Sequence, residues 1–161
     1  MALEAAEKLI KKMTERSVTL ATCESLTGGG LGAAITAVPG ASAVFRGALV
    51  TYARDLKTVL AGVDEELIDT EGVVNELTAL QMAVGAQRKC DADWAVATTG
   101  VAGPTETDGQ KVGTVWFAVV GPNVGMSPRP QYTELRHFDG DRESIRSAAI
   151  EHALEMLLRV Q

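Results

Sequence analysis

Ser25 sits in the stretch Ala21–Gly30, ATCESLTGGG, where a buried strand gives way to a helix, with Glu24 before it and Thr27, Gly28 and Gly29 after it. A serine is a weak nucleophile until a neighbouring base takes its proton, and the usual partner, histidine, is missing from this part of the chain. A lysine can serve instead if burial destabilises its ammonium, so that the neutral amine acts as the base. Lys57 fits that description, because its neighbours Ala53, Leu56, Val59 and Leu60 are apolar. Taken alone, the same lysine also fits a solvated place on a short helix. Tyr52 could orient the lysine or the substrate. Donors for a developing oxyanion could come from the glycine-rich loop after Thr99, or from the amides that open the Gly28 helix. Glycines at a helix start also leave free N–H groups and partial positive charge open to close approach, so an anion is the expected guest there. Arg142 could clamp a phosphate bidentately, although it also suits an exposed position near Asp139 and Asp141.

These residues need a scaffold that brings them to one place. Val18–Thr22 is β-branched and apolar and reads as a short core strand, and the run from Leu31 to Val38 reads as a helix broken by Pro39-Gly40. Ala41–Phe45 is a connector of about one helical turn, Gly47–Ala53 a second buried strand, and Asp55–Leu60 a short helix stopped by Gly62. The acidic stretch Val63–Glu71 reads as a surface turn of helix. Asn75 can cap a longer helix from Glu76 to about Lys89, with Leu77, Leu80, Met82 and Val84 available to the core. Trp94–Thr99 is a third strand running into the polar loop Gly100–Gln110, and Val112–Val120 is a long apolar strand. After the loop Gly121–Pro130, Tyr132–Phe138 alternates like an edge strand, and Glu143 to about Arg159 forms the last helix. The first helix, Ala2 to about Thr14, places Leu3, Ala6, Leu9, Ile10 and Met13 on one face. Alternating helices and short buried strands predict an α/β domain with a largely parallel sheet, the link between strands three and four being too short for a crossover helix. Ligands of such sheets bind beyond the carboxyl ends of the parallel strands. Glu24, Ser25, Thr27, Tyr52, Lys57, Thr99 and Gly100 all leave the sheet at that edge.

The 161 residues are most simply one domain, and 46% apolar with only 4% aromatic residues implies a core of Ala, Val, Leu and Ile. A net charge of −6 argues against a nucleic-acid or membrane surface. Cys23 and Cys90 have neither metal spacing nor a disulfide-rich context, and Cys23 is read as a small buried thiol. His137 and His152 are too scattered for a metal site. The charged amphipathic N-terminus lacks the apolar stretch of a signal peptide, and no run is long enough to span a bilayer, so a cytoplasmic location is expected.

The segments CESLTGG at 23–29, PGAS at 39–42, VTYARDLK at 50–57, TTGVAGPTETDGQKVGTVWFA at 98–118 and FDGDR at 138–142 occur in family order over nearly the whole chain. On these the chain resembles the C-terminal domain of the competence- and damage-inducible protein CinA, a domain also found as the free-standing bacterial nicotinamide mononucleotide deamidase. The resemblance implies a three-layer α/β/α sandwich around a five-stranded mixed, mostly parallel sheet. It implies a Ser/Lys amidohydrolase that converts nicotinamide mononucleotide to nicotinate mononucleotide and ammonia, in pyridine nucleotide recycling, with no cofactor and no metal. By motif, Ser42 would be the nucleophile and Lys57 the base. Ser25, Tyr52, Thr99 and Arg142 would bind substrate or support the transition state, with Glu24, Thr27, Gly28, Gly29 and Gly100 beside them. A homo-oligomer is expected. A non-catalytic nucleotide-binding or protein-interaction module is the alternative that the competence-linked family name allows.

Strand length conflicts with the Ser42 assignment. Ser42 precedes strand two and Lys57 follows it, and a strand of about six residues is roughly 20 Å long. Either the connector 39–46 folds back over the sheet edge, or a neighbouring subunit supplies one residue, or Ser25 is the nucleophile. The motif favours Ser42. One further departure is Val74, where many relatives carry a serine; Asn75 could take over a capping role there.

Overall fold

The computed structural model describes residues 1–161. The elements are α1 (Ala2–Glu15), β1 (Leu20–Glu24), α2 (Gly30–Thr36), a 3₁₀ turn (Ala41–Ala43), β2 (Phe45–Val50), α3 (Arg54–Ala61) and α4 (Glu65–Glu71), followed by α5 (Glu76–Lys89), β3 (Trp94–Gly100), β4 (Thr114–Val120), β5 (Gln131–His137) and α6 (Arg142–Val160). The five strands form one sheet in the order β2-β1-β3-β4-β5. β1 pairs in parallel with both β2 and β3, whereas β3–β4 and β4–β5 are antiparallel. The sheet is therefore mixed, with its parallel part around β1.

Side-chain alternation on the strands builds two cores, one on each face. On one face Leu20, Val96, Val115, Phe117 and Val119 pack with Leu9 and Met13 of α1, Leu31 and Ile35 of α2, and Leu154 and Leu157 of α6. On the other, Ala21, Cys23, Ala95, Ala97 and Ala118 meet Ala79, Met82, Ala83 and Ala86 of α5. Two helical layers over one sheet make the three-layer α/β/α sandwich. The second face is lined with alanine, so α5 lies close to the sheet. Leu77, expected inside, is 47% exposed, because α5 buries its small face instead. A Cβ on Gly85 would stand 1.9 Å from the Ala61 carbonyl oxygen, so glycine lets α5 press on the end of α3. That contact anchors the helix that carries Lys57.

The boundaries shift from the sequence reading in one useful way. β1 runs through Glu24 and β2 stops at Val50, so Ser25 and Thr51–Ala53 are the first residues off their strands. The acidic stretch is a helix, α4, capped by Asp64, whose side chain accepts the Glu66 N–H.

Candidate functional site

The chain leaves β1 for β2 on one side and later crosses back past β1 to β3. The carboxyl ends of β1 and β3 thus flank the point where the strand order reverses, where α/β sheets open a crevice. Ser25 leaves β1 here, its N–H donating to the Thr98 carbonyl of β3 at 3.0 Å. β5 runs parallel to β3, so its exit delivers Arg142, the first residue of α6, to the same edge. A cavity of about 400 Å³ results, with Ser25, Tyr52, Lys57, Gly100 and Arg142 in its wall.

Lys57 is the chemical centre of this cavity. Only 1% of it is exposed, and its Nζ donates to Ser25 Oγ at 2.9 Å, to the Thr51 carbonyl at 2.7 Å and to the Tyr52 carbonyl at 3.4 Å. No carboxylate lies within salt-bridge distance of this buried ammonium. Burial pushes its pKa down to about 8; the Arg54 guanidinium adds to the push, while Asp108 opposes it. A neutral amine is therefore accessible near physiological pH, beside a serine that is itself 8% exposed. Cys23, on β1 two residues before Ser25, has its thiol pushed up to about 12 by burial and stays protonated, as a core thiol would.

Ser42 does not join this cluster. It lies exposed in the 3₁₀ turn before β2, while Lys57 follows that strand's other end, so about 20 Å of strand separates their levels. The connector does not fold back over the edge, and the serine beside Lys57 is Ser25.

The glycine-led start of α2 faces an internal carboxylate. Two of its amides are taken by the chain itself: buried Glu24 accepts the Leu31 N–H at 2.8 Å and the Gly32 N–H at 3.0 Å, and also the Thr22 hydroxyl at 3.1 Å. Glu24 is thus a structural brace and does not line the cavity. Thr27 pairs with the Thr98 hydroxyl at 2.9 Å, and Thr99 donates to the Val73 carbonyl at 2.6 Å; both are buried away from the cavity. Gly28 and Gly29, at φ +57° and +96°, make the turn into α2 and lie outside the cavity wall as well. Gly100 does line it. Val74 is buried, and the cap of α5 is supplied by Asn75, which accepts the Thr78 N–H at 2.8 Å.

Arg142 reaches across the cavity mouth, donating to the Gly103 carbonyl at 2.7 Å and to the Tyr52 hydroxyl at 2.8 Å. Neither partner is charged, so its positive charge is unbalanced within the protein. One helical turn further on, Arg146 donates to the carbonyls of Leu26 at 2.9 Å and Thr27 at 3.1 Å, fixing the backbone just after Ser25. The (i, i+4) spacing of the two arginines was the available sequence signal for Arg146. Leu26, Ala102 and Gly103 line the cavity too, and their N–H groups donate to no protein acceptor. Arg54 and Asp108 were also missed in the sequence: they meet at 3.4 Å across the cavity wall, in a contact between α3 and the glycine-rich loop that only the tertiary fold creates. No three His, Cys, Asp or Glu side chains gather so as to hold a metal ion, and no helix is long and apolar enough to cross a membrane.

Comparison with known proteins agrees with this architecture. The CinA C-terminal domain profile matches residues 2–161. A CinA-like protein of Frankia casuarinae is 42% identical over 148 residues, which are 92% of this chain and 33% of that protein. A CinA-like protein of Synechococcus is 41% identical over 157 residues, 97% of this chain and 36% of that one. The chain thus spans about a third of the length of the curated relatives it matches. Among solved structures, a competence-damaged protein (CinA) superfamily protein from Escherichia coli superposes with a TM-score of 0.93 at 31% identity, covering 100% of this chain and 91% of that one. The competence/damage inducible protein CihA from Agrobacterium tumefaciens gives 0.89 at 38% identity, covering 98% and 94%. The chain belongs to the CinA C-terminal domain family.

Proposed function

We propose that the chain is an amidohydrolase that removes the carboxamide nitrogen of nicotinamide mononucleotide, with Ser25 as nucleophile and Lys57 as general base and acid. The observation that carries this reading is the 2.9 Å contact between Ser25 Oγ and the Nζ of a lysine that is almost wholly buried. A buried lysine with no carboxylate partner destabilises the fold, and the arrangement makes chemical sense if the neutral amine is used. In the first half-reaction the neutral Lys57 amine takes the Ser25 proton as Oγ bonds to the carboxamide carbon. The tetrahedral oxyanion is met by backbone N–H donors, with Leu26 the nearest in sequence and Ala102 and Gly103 across the cavity. Collapse breaks the C–N bond, Lys57 returns its proton to the leaving nitrogen, and ammonia departs. Water then attacks the serine ester with Lys57 again taking the proton. The C–O bond to Ser25 breaks, Oγ is reprotonated, and nicotinate mononucleotide leaves. Every group in these steps comes from one chain.

Arg142 is the group for the phosphate, because its partners are neutral, whereas Arg54 already faces Asp108 at 3.4 Å and Asp69 at 3.9 Å. The test is ammonia release from nicotinamide mononucleotide, with nicotinate mononucleotide identified as the other product. Turnover should vanish in Lys57→Met with the circular dichroism spectrum retained. Binding of the nucleotide without ammonia release would instead mark the chain as a non-catalytic nucleotide-binding module.

A further inference from the structure

Asp108 is the one carboxylate in the cavity wall, against three cationic side chains, Arg54, Lys57 and Arg142. It is held in place by its neighbours. Its backbone adopts φ +49°, and its Oδ2 accepts the Val73 N–H at 2.9 Å and faces Arg54 Nη1 at 3.4 Å. A Cβ on Gly72 would come within 2.7 Å of Asp108 Oδ2, so the glycine makes room for the carboxylate. Its other oxygen, Oδ1, accepts no hydrogen bond from the protein. Arg54 neutralises it only loosely, since that guanidinium spends its shortest bond, 2.7 Å, on the Ile68 carbonyl. Asp108 shares the cavity wall with Lys57, which touches Ser25 Oγ. A negative charge therefore lines the cavity in which the scissile carboxamide must sit. In a nicotinamide mononucleotide the ring nitrogen is a quaternary cation, meta to the ring carbon that bears the carboxamide.

Resting on the mononucleotide reading above, we propose that Asp108 is a specificity-determining residue that selects the cationic pyridinium ring over a neutral ring carrying the same carboxamide, ribose and phosphate. The cavity is then bipolar, with Arg142 at the phosphate end and Asp108 at the ring end, matching a zwitterionic ligand. The other charged or titratable groups around the ring position are Arg54 and Lys57 of α3, Tyr52 before it, Cys23 of β1 and Arg142 of α6. Of these, only Arg54 contacts Asp108.

The experiment measures calorimetric affinities on a Ser25→Ala background, which removes turnover, for nicotinamide mononucleotide and its 1,4-dihydro form, whose ring is neutral. The parent should prefer the cationic form. Asp108→Asn, which keeps an acceptor for Val73, should weaken the cationic form about fivefold and leave the dihydro form within about twofold. Arg54→Gln should act in the opposite sense, strengthening the cationic form selectively, and decides the matter alone if the Asp108 variant does not fold. No ring preference in the parent, or equal weakening of both forms, overturns the assignment. That result beside normal ammonia release leaves the amidase reading standing. A clear preference without ammonia release refutes the amidase reading and keeps the cation assignment, and binding of neither form refutes both.

Discussion

Replacing Lys57 by methionine should alter the pH dependence of stability in a way that isolates the buried ammonium. The folded pKa is about 8 against an ordinary lysine value of 10.5, with burial as the main cause. Between those values the unfolded chain binds more protons at this group than the folded chain does, so stability rises with pH across the window. Below about pH 8 both states are protonated and the folded state bears the full cost of the buried charge; above 10.5 neither is, and that cost is gone. At roughly 1.4 kcal/mol per pKa unit the total is about 3 kcal/mol, of which about 2 to 3 kcal/mol is recovered between pH 7 and pH 10. Methionine keeps the stem's volume and cannot titrate. It leaves the Thr51 and Tyr52 carbonyls without a donor, but that offset does not change with pH. The assay is urea unfolding of both proteins at a series of pH values. Other lysines, tyrosines and cysteines titrate alike in the two proteins and cancel in the difference. That difference should move in favour of the wild type by about 2 to 3 kcal/mol from pH 7 to pH 10, equivalent to several degrees in melting temperature. A flat difference would show that the fold does not disfavour the ammonium, and the neutral-amine base would lose its physical basis.

Three further outcomes follow from the same geometry. The kcat/KM for ammonia release should rise with pH along a limb with an apparent pKa near 8, the protonated lysine being inactive; a profile flat from pH 6 to 9 would contradict Lys57 as base. Glu24→Gln should destabilise the fold by about 2 kcal/mol in urea unfolding, because one carboxylate oxygen that accepts a buried N–H becomes a donor. An unchanged midpoint would show that the start of α2 does not depend on it. Arg142→Ala should raise KM for the mononucleotide about tenfold or more while changing kcat less, as expected for loss of a charge-assisted phosphate contact. A loss confined to kcat would move Arg142 from binding to chemistry.

Much of the sheet edge is legible in the sequence. Strand periodicity and the rule that ligands bind past the carboxyl ends of parallel strands brought Ser25, Tyr52, Lys57 and Gly100 together, and all four line the cavity. The antiparallel step after β3 followed from a link too short for a crossover. The differences have local physical causes. A glycine-led helix start reads as an anion site, yet here the strand-end Glu24 turns inward and satisfies two of those amides, a pairing seven and eight residues apart that periodicity does not reveal. Motif order singled out Ser42, whereas strand length placed it a strand away from Lys57, and within one chain the fold keeps that separation. Arg54 and Asp108 could not be paired in advance, because their contact depends on how the 101–113 loop folds back over α3. Leu77 was assigned to the core by type, while α5 packs through alanine and glycine.

The central claim is that the serine held by Lys57 is the one that reacts. Ammonia release from nicotinamide mononucleotide by Ser25→Ala and Ser42→Ala, measured side by side on folded protein, tests it most directly. Ser25→Ala should be inactive and Ser42→Ala should turn over at close to the wild-type rate. An inactive Ser42→Ala beside an active Ser25→Ala would contradict the account.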